Sequence, residues 1–182
     1  IAELRKYGIQ ILIDVRSNPF SAYYEIYNKD RLSAALKQAG IYYCNYARQF
    51  GARQEDLHYY RSGRLDFELF AQSPQFLDGI QSVEASTAVI AFMCAEKHPQ
   101  ECHRAILVSR AFSDRGHPVM HITPDGTLTQ KDLESTLLDT YFPNRDQETL
   151  FSEDVMSEEE YIAQAYRLRN DEIGFKEEEL KL

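Results

Sequence analysis

Short apolar runs alternate with helix-length stretches along the first 140 residues, and this alternation is what most narrows the folds open to the chain. The runs lie at residues 10–15, 41–44, 88–93 and 118–122. Between the first two, residues 29–39 read as a helix with Asn28 at its cap and Gly40 at its stop. Ser73 before Pro74 opens another helix, reaching about Glu84. Residues 102–112 form a third that Gly116 ends, and residues 128–141 a fourth.

Strands and helices in that order predict the α/β class: a mostly parallel sheet with helices on both faces, a Rossmann-like open sandwich. At 182 residues the chain has length for one full core and not for two. The predicted division is an α/β domain over 1–145 and an acidic helical extension over 146–182. In the extension, Ser157 and Glu160 form a capping box ahead of an amphipathic tail helix, followed by a charged, frayed end.

Charge separates the same two regions. Of the net −9, residues 1–145 carry 16 Lys and Arg against 17 Asp and Glu, and residues 146–182 carry 4 against 12. A near-neutral core with an acidic tail disfavours extended contact with a polyanion, though not a local arginine-lined pocket. No apolar run approaches the length of a membrane span, so no membrane partner is expected. Three cysteines, unevenly spaced, do not make a disulfide framework and point to reduced thiols in a cytoplasmic setting. No signal peptide is read, and the start at Ile1 leaves room for a leading segment.

The chemistry is concentrated after the 88–93 run. Positions 94–104 hold Cys94, Glu96, His98, Glu101, Cys102, His103 and Arg104, on the turn between a strand and a helix where open α/β sheets place their sites. Cys102 at a helix N-terminus, beside His103 and Arg104, has the setting of an activated thiolate; Cys94 closes the strand, where a nucleophile would sit above an anion loop. A buried thiol is inert, and that alternative stands for both. Glu96 can serve as acid, base or partner of Arg104, and His103 as base, ligand or carbonyl-bound core residue. Asp14, Arg16 and Ser17 end the 10–15 run. If the two runs are adjacent strands, these residues converge with Cys94 and Glu96 on one crevice. The 45–64 stretch interleaves Tyr46, Phe50, Tyr59 and Tyr60 with Arg48, Arg53, Arg61 and Arg64, a candidate lid in which Arg48 and Arg53 hold a phosphate.

Three segments, Leu12-Ile-Asp-Val-Arg-Ser-Asn-Pro-Phe-Ser21, Arg48-Gln-Phe-Gly-Ala-Arg53 and Met93-Cys-Ala-Glu-Lys-His-Pro-Gln-Glu-Cys-His-Arg104, followed by His121 and Ile122, resemble the domain of unknown function 488 family in order and spacing. The resemblance covers residues 1 to about 130. It departs at Gln49, where the family usually carries glutamate, and at Ala52, where it usually carries glycine. It also implies a leading strand and a Gly-His-Ser-like turn ahead of the present sequence. No activity follows from it.

Three kinds of function remain. The leading one is an enzyme acting on a small anionic or nucleotide-like molecule, with Cys94, Glu96, Cys102, His103 and Asp14 as catalytic candidates. Arg16, Ser17, Arg48, Arg53 and Arg104 are then the substrate-binding candidates. A rhodanese-like sulfur transfer fits the strand order only, because an anion cradle of the Cys-x5-Arg type needs arginine at Gln100. A zinc site has suitable ligand types, but Cys102 and His103, adjacent on one helix, would point about 100° apart, so no metal and no cofactor are assigned. The third is a nucleic-acid or nucleotide binding module on the 45–64 loop, which the charge balance does not favour. The sequence does not set the oligomeric state.

Overall fold

A computed structural model describes residues 1–145 and 156–181. A short helix α1 (Ala2–Lys6) leads into the central strand β1 (Ile11–Asp14), helix α2 (Lys29–Gln38) and strand β2 (Tyr42–Asn45). Helix α3 (Ala47–Phe50), the short strands β3 (Tyr60–Arg61) and β4 (Arg64–Leu65), and helices α4 (Phe67–Phe70) and α5 (Pro74–Glu84) follow, then strand β5 (Ile90–Met93). Strands β2 and β5 both pair with β1 in parallel, in the order β2-β1-β5, with Asp14 level with Asn45 on one side and Met93 on the other.

The period of two in β1 explains why both faces are covered. Leu12 points to a small cluster with Leu32 and Leu36 of α2 and with Ile41. Ile13 and Val15 point the other way, into the main core with Phe50, Phe70, Phe76 and Ile80. Strand β5 alternates likewise, Ala91 and Met93 against the small cluster and Ile90 and Phe92 against the large one. Its residues are half-buried, because it is an edge of the sheet. The α/β class and the covered parallel sheet are as read from the sequence.

The fourth apolar run does not extend that sheet. Strand β6 (Met120–Thr123) turns through Pro124 and Asp125 into β7 (Gly126–Thr129), forming an antiparallel hairpin of its own. A Pro-Asp-Gly sequence favours a tight turn, and it separates the strand from the parallel set. Between β5 and this hairpin lies an apolar groove of about 710 Å³. Helix α7 (Gln130–Tyr141) starts two residues later than expected, behind a capping box of Thr129 and Asp132.

Helix α8 (Glu158–Ile173) starts at the Ser157–Glu160 capping box. It packs on α7 and places Ala165 and Tyr166 in the main core. Asn170 accepts from the Phe67 amide (2.7 Å) and donates to the Leu65 carbonyl (2.8 Å), satisfying two buried backbone groups. The end beyond it is not frayed. Leu65 donates to the Phe175 carbonyl, Glu177 donates to the Gly63 carbonyl, and residues 177–181 form a 3-10 turn. The expected boundary at 145/146 borders residues 146–155, which lie outside the described residues. No helix among the described residues is long and apolar enough to cross a membrane.

Candidate functional site

The carboxyl ends of β1 and β5 are adjacent, so the 14–17 and 94–104 turns meet. Val15 donates its amide to the Met93 carbonyl (3.0 Å), and His103 Nε2 lies 3.3 Å from the Val15 carbonyl oxygen. A carbonyl only accepts, so Nε2 carries the proton and Nδ1 presents its lone pair to the Cys94 thiol at 3.7 Å.

Cys102 reaches the same point by a conformation that the sequence reading did not foresee. A 3-10 turn over Pro99–Glu101 brings the chain back towards the sheet, and Cys102 itself is extended (φ −125°, ψ 129°). The following helix starts after Cys102, with His103 already helical (φ −55°, ψ −27°) and π-type winding over Arg104–Ser109 before α6 (Arg110–Ser113). Cys102 and His103 therefore do not share a helix, and the expected divergence of their side chains disappears. The Cys102 thiol donates to Glu96 Oε2 (3.1 Å). One ligand atom from each of Cys94, Glu96, Cys102 and His103 lies within 4.8 Å of all the others. Cys102 and His103 are buried, Cys94 is half-buried, and Glu96 is exposed while its carboxylate accepts from the buried Cys102.

The protonation states follow from these contacts. The hydrogen bond with Cys102 and then burial push the Cys94 thiol up, beyond what His103 offsets. Burial works to raise the Glu96 carboxyl, but its contacts with the Cys94 and Cys102 thiols outweigh it and hold it low. Burial works against a charge on His103, and its contacts with Cys94, Glu96 and Val15 raise it. With the Cys94 thiol neutral, the pull that remains on His103 is that of the Glu96 carboxylate and the Val15 carbonyl. All three cysteines are free.

The other candidates are differently placed. Asp14, fully buried, and Arg16 form a two-pronged ion pair, Nη2 to Oδ2 at 2.6 Å and Nε to Oδ1 at 2.9 Å. The Tyr43 hydroxyl donates to Asp14 (2.7 Å), and Arg16 also donates to the Tyr27 carbonyl (2.8 Å). Both groups are thus engaged inside the protein. Ser17 Oγ accepts from the Arg53 amide (2.9 Å), and Gly51 is needed beside it, since a Cβ there would press into Ser17 Oγ and the Ala47 carbonyl. The Arg53 guanidinium stacks on Phe175, 4.6 Å from the ring centre, and Arg48 is exposed. The loop aromatics mainly anchor the loop: Phe50 is in the core, Tyr59 packs on Phe70, and the Tyr60 hydroxyl donates to the Gln54 carbonyl.

The sequence model of the family described as domain of unknown function DUF488 matches residues 1–111. The chain belongs to this family. In this DUF488 member the match runs from α1 through the Cys/Glu/His turn into α6, so the candidate site lies wholly inside it, and the β6–β7 hairpin, α7 and α8 lie beyond it. No curated protein and no solved structure matches the chain.

Arg104 is the one of the proposed arginines that lines the groove. It is half-buried and lines the groove with Met93, Tyr27 and His121. Among the described residues its side chain makes no hydrogen bond or ion pair. Tyr27 was not singled out by sequence, nor were Tyr43 and the Val15 carbonyl. For Tyr43 a signal existed: it shares one strand face with Asn45, which is level with Asp14.

Proposed function

We propose that this DUF488 protein is an enzyme acting on a small anionic, nucleotide-like molecule bound at the carboxyl ends of β1 and β5. The observation that carries the reading is Arg104: a half-buried guanidinium with no hydrogen bond or ion pair among the described residues, in a groove of about 710 Å³, next to His103 in the chain. Leaving such a cation half-desolvated is unfavourable unless an anion completes it. Tyr27, 49% exposed, lines the same groove, so a ring for stacking and a cation for phosphate share one space.

Glu96, low enough to be ionised at neutral pH, is the candidate base; it belongs to the Cys/Glu/His cluster, which adjoins the groove through Met93 and Arg104 without lining it. The contact with Cys102 and burial raise the Cys94 thiol, which disfavours Cys94 itself as the nucleophile.

The test is calorimetric titration of the purified protein with inorganic phosphate and nucleoside monophosphates, with product analysis by mass spectrometry. Binding of a nucleoside monophosphate that weakens about 30-fold in Arg104→Ala supports the reading, the loss of one charge-assisted contact being about 2 kcal/mol. Absence of binding, or equal binding by Arg104→Ala, contradicts it.

A further inference from the structure

We propose that Cys94, Glu96, Cys102 and His103 bind one zinc-class divalent cation. The proposal concerns the same turn as the proposed activity but does not depend on it: a cation can sit here whether or not Arg104 recognises an anion.

Three observations carry it. The first is donor type and spacing. Bond lengths of about 2.3 Å to sulfur and about 2.0–2.1 Å to nitrogen or oxygen place tetrahedral donors roughly 3.3–3.8 Å apart. Cys94 Sγ to His103 Nδ1 is 3.7 Å and Cys102 Sγ to Glu96 Oε2 is 3.1 Å, with every pair inside 4.8 Å. Shifts of under an ångström at the side chains complete the polyhedron. The second is the orientation of His103. Its Nε2–H points at the Val15 carbonyl and leaves the Nδ1 lone pair facing the sulfur atoms, which is how outer partners fix a ligating imidazole. The third is backbone form. The extended Cys102 and the 3-10 turn before it bring back a second thiol eight residues after Cys94. A plain strand-to-helix turn would have given neither the reversal nor the approach.

Two thiolates and an imidazole select a borderline-soft ion over magnesium or calcium. On binding, two S–H bonds break, two metal–sulfur bonds form and the two protons pass to solvent. Glu96 is the one exposed residue of the four, so its carboxylate is the ligand that can give way to water or substrate while the other three hold the ion.

The experiment is titration of the metal-free, reduced protein with Co²⁺, followed by absorption, and metal analysis of Zn²⁺-loaded protein after gel filtration. The expected result is one equivalent of either metal and a near-ultraviolet sulfur-to-cobalt band. Cys94→Ser and Cys102→Ser each weaken binding at least about 100-fold and reduce the band, Glu96→Gln weakens it about 10-fold, and Cys44→Ser changes nothing. If a cysteine variant fails to fold, the wild-type band and the Glu96→Gln affinity still decide. Less than a tenth of an equivalent bound, or a cobalt spectrum without sulfur character, overturns the proposal. So does a thiol count of one in protein purified without reductant and then denatured with chelator, if mass spectrometry places the disulfide between Cys94 and Cys102. Nucleotide binding by the metal-free protein is a separate readout, so either reading can fail alone.

Discussion

The His103 ring is held between two strands: Nε2 sits 3.3 Å from the Val15 carbonyl at the end of β1, while Nδ1 faces Cys94, just past β5. One buried imidazole therefore ties the two turns that carry the candidate chemistry. Replacing His103 with alanine leaves a cavity and an unpaired carbonyl. We expect a loss of about 2–3 kcal/mol in the metal-free protein, read from urea unfolding.

Asp14 and Arg16 form the neighbouring device. Arg16 is only 10% exposed at its side chain and Asp14 is fully buried, so Asp14→Ala strands a guanidinium away from water and also deprives the Tyr43 hydroxyl of its acceptor. The expected loss is about 3–5 kcal/mol at neutral pH. A loss under 1 kcal/mol accompanied by a change only in ligand binding contradicts this structural role and makes Asp14 part of the site.

Strands β1 and β5 were legible because Leu12 and Ile13, or Ala91 and Phe92, alternate between two apolar faces, and α8 because Ser157 and Glu160 mark its start. Other features depend on tertiary contact. Nothing local distinguishes an Arg16 that closes on Asp14 from one that waits for a substrate, while the paired Tyr43 comes from 29 residues away. The extended form of Cys102 is set by the buried Pro99 turn, not by its own propensity. The hairpin hangs on the Pro124-Asp125-Gly126 turn, which reverses the chain into β7 where the alternation of strands and helices signals only a helix.

Asn170 closes the tail helix onto the β4–α4 corner through two buried backbone groups. Asn170→Ala is expected to lower stability by about 2–3 kcal/mol, whereas Asp171→Ala, on the exposed side of the same turn, changes it by under about 0.5 kcal/mol. Chemical unfolding of the two variants side by side checks this.

Close packing of α3 on α5 depends on Gly79, where a Cβ would lie 2.7 Å from Gln49 Cβ and 2.9 Å from the Phe50 ring. Gly79→Ala must displace a core phenylalanine, and a loss of about 1–3 kcal/mol in unfolding free energy is expected, despite the better helix propensity of alanine.

His121 gives a pH signature. Burial lowers its pKa, beyond what its contact with Gln130 restores, so protonation favours the unfolded chain. Its stabilising effect is complete above the unfolded value of about 6.5 and declines as pH falls from there towards the lowered folded value. His103, raised in the fold, works in the opposite sense. The comparison is therefore wild type against His121→Gln, which keeps a donor to Gln130. Thermal midpoints measured from pH 7 to pH 5 should fall more steeply for the wild type.

Nuclear magnetic resonance of ¹⁵N-labelled, metal-free protein titrated with a nucleoside monophosphate tests the central claim most directly. Shifts at the Arg104 side-chain Nε–H and at the amides of Met93 and Tyr27 are the predicted result. Shifts confined to the second cleft, of about 420 Å³ between Ser62 and Lys176, or none anywhere, would contradict it.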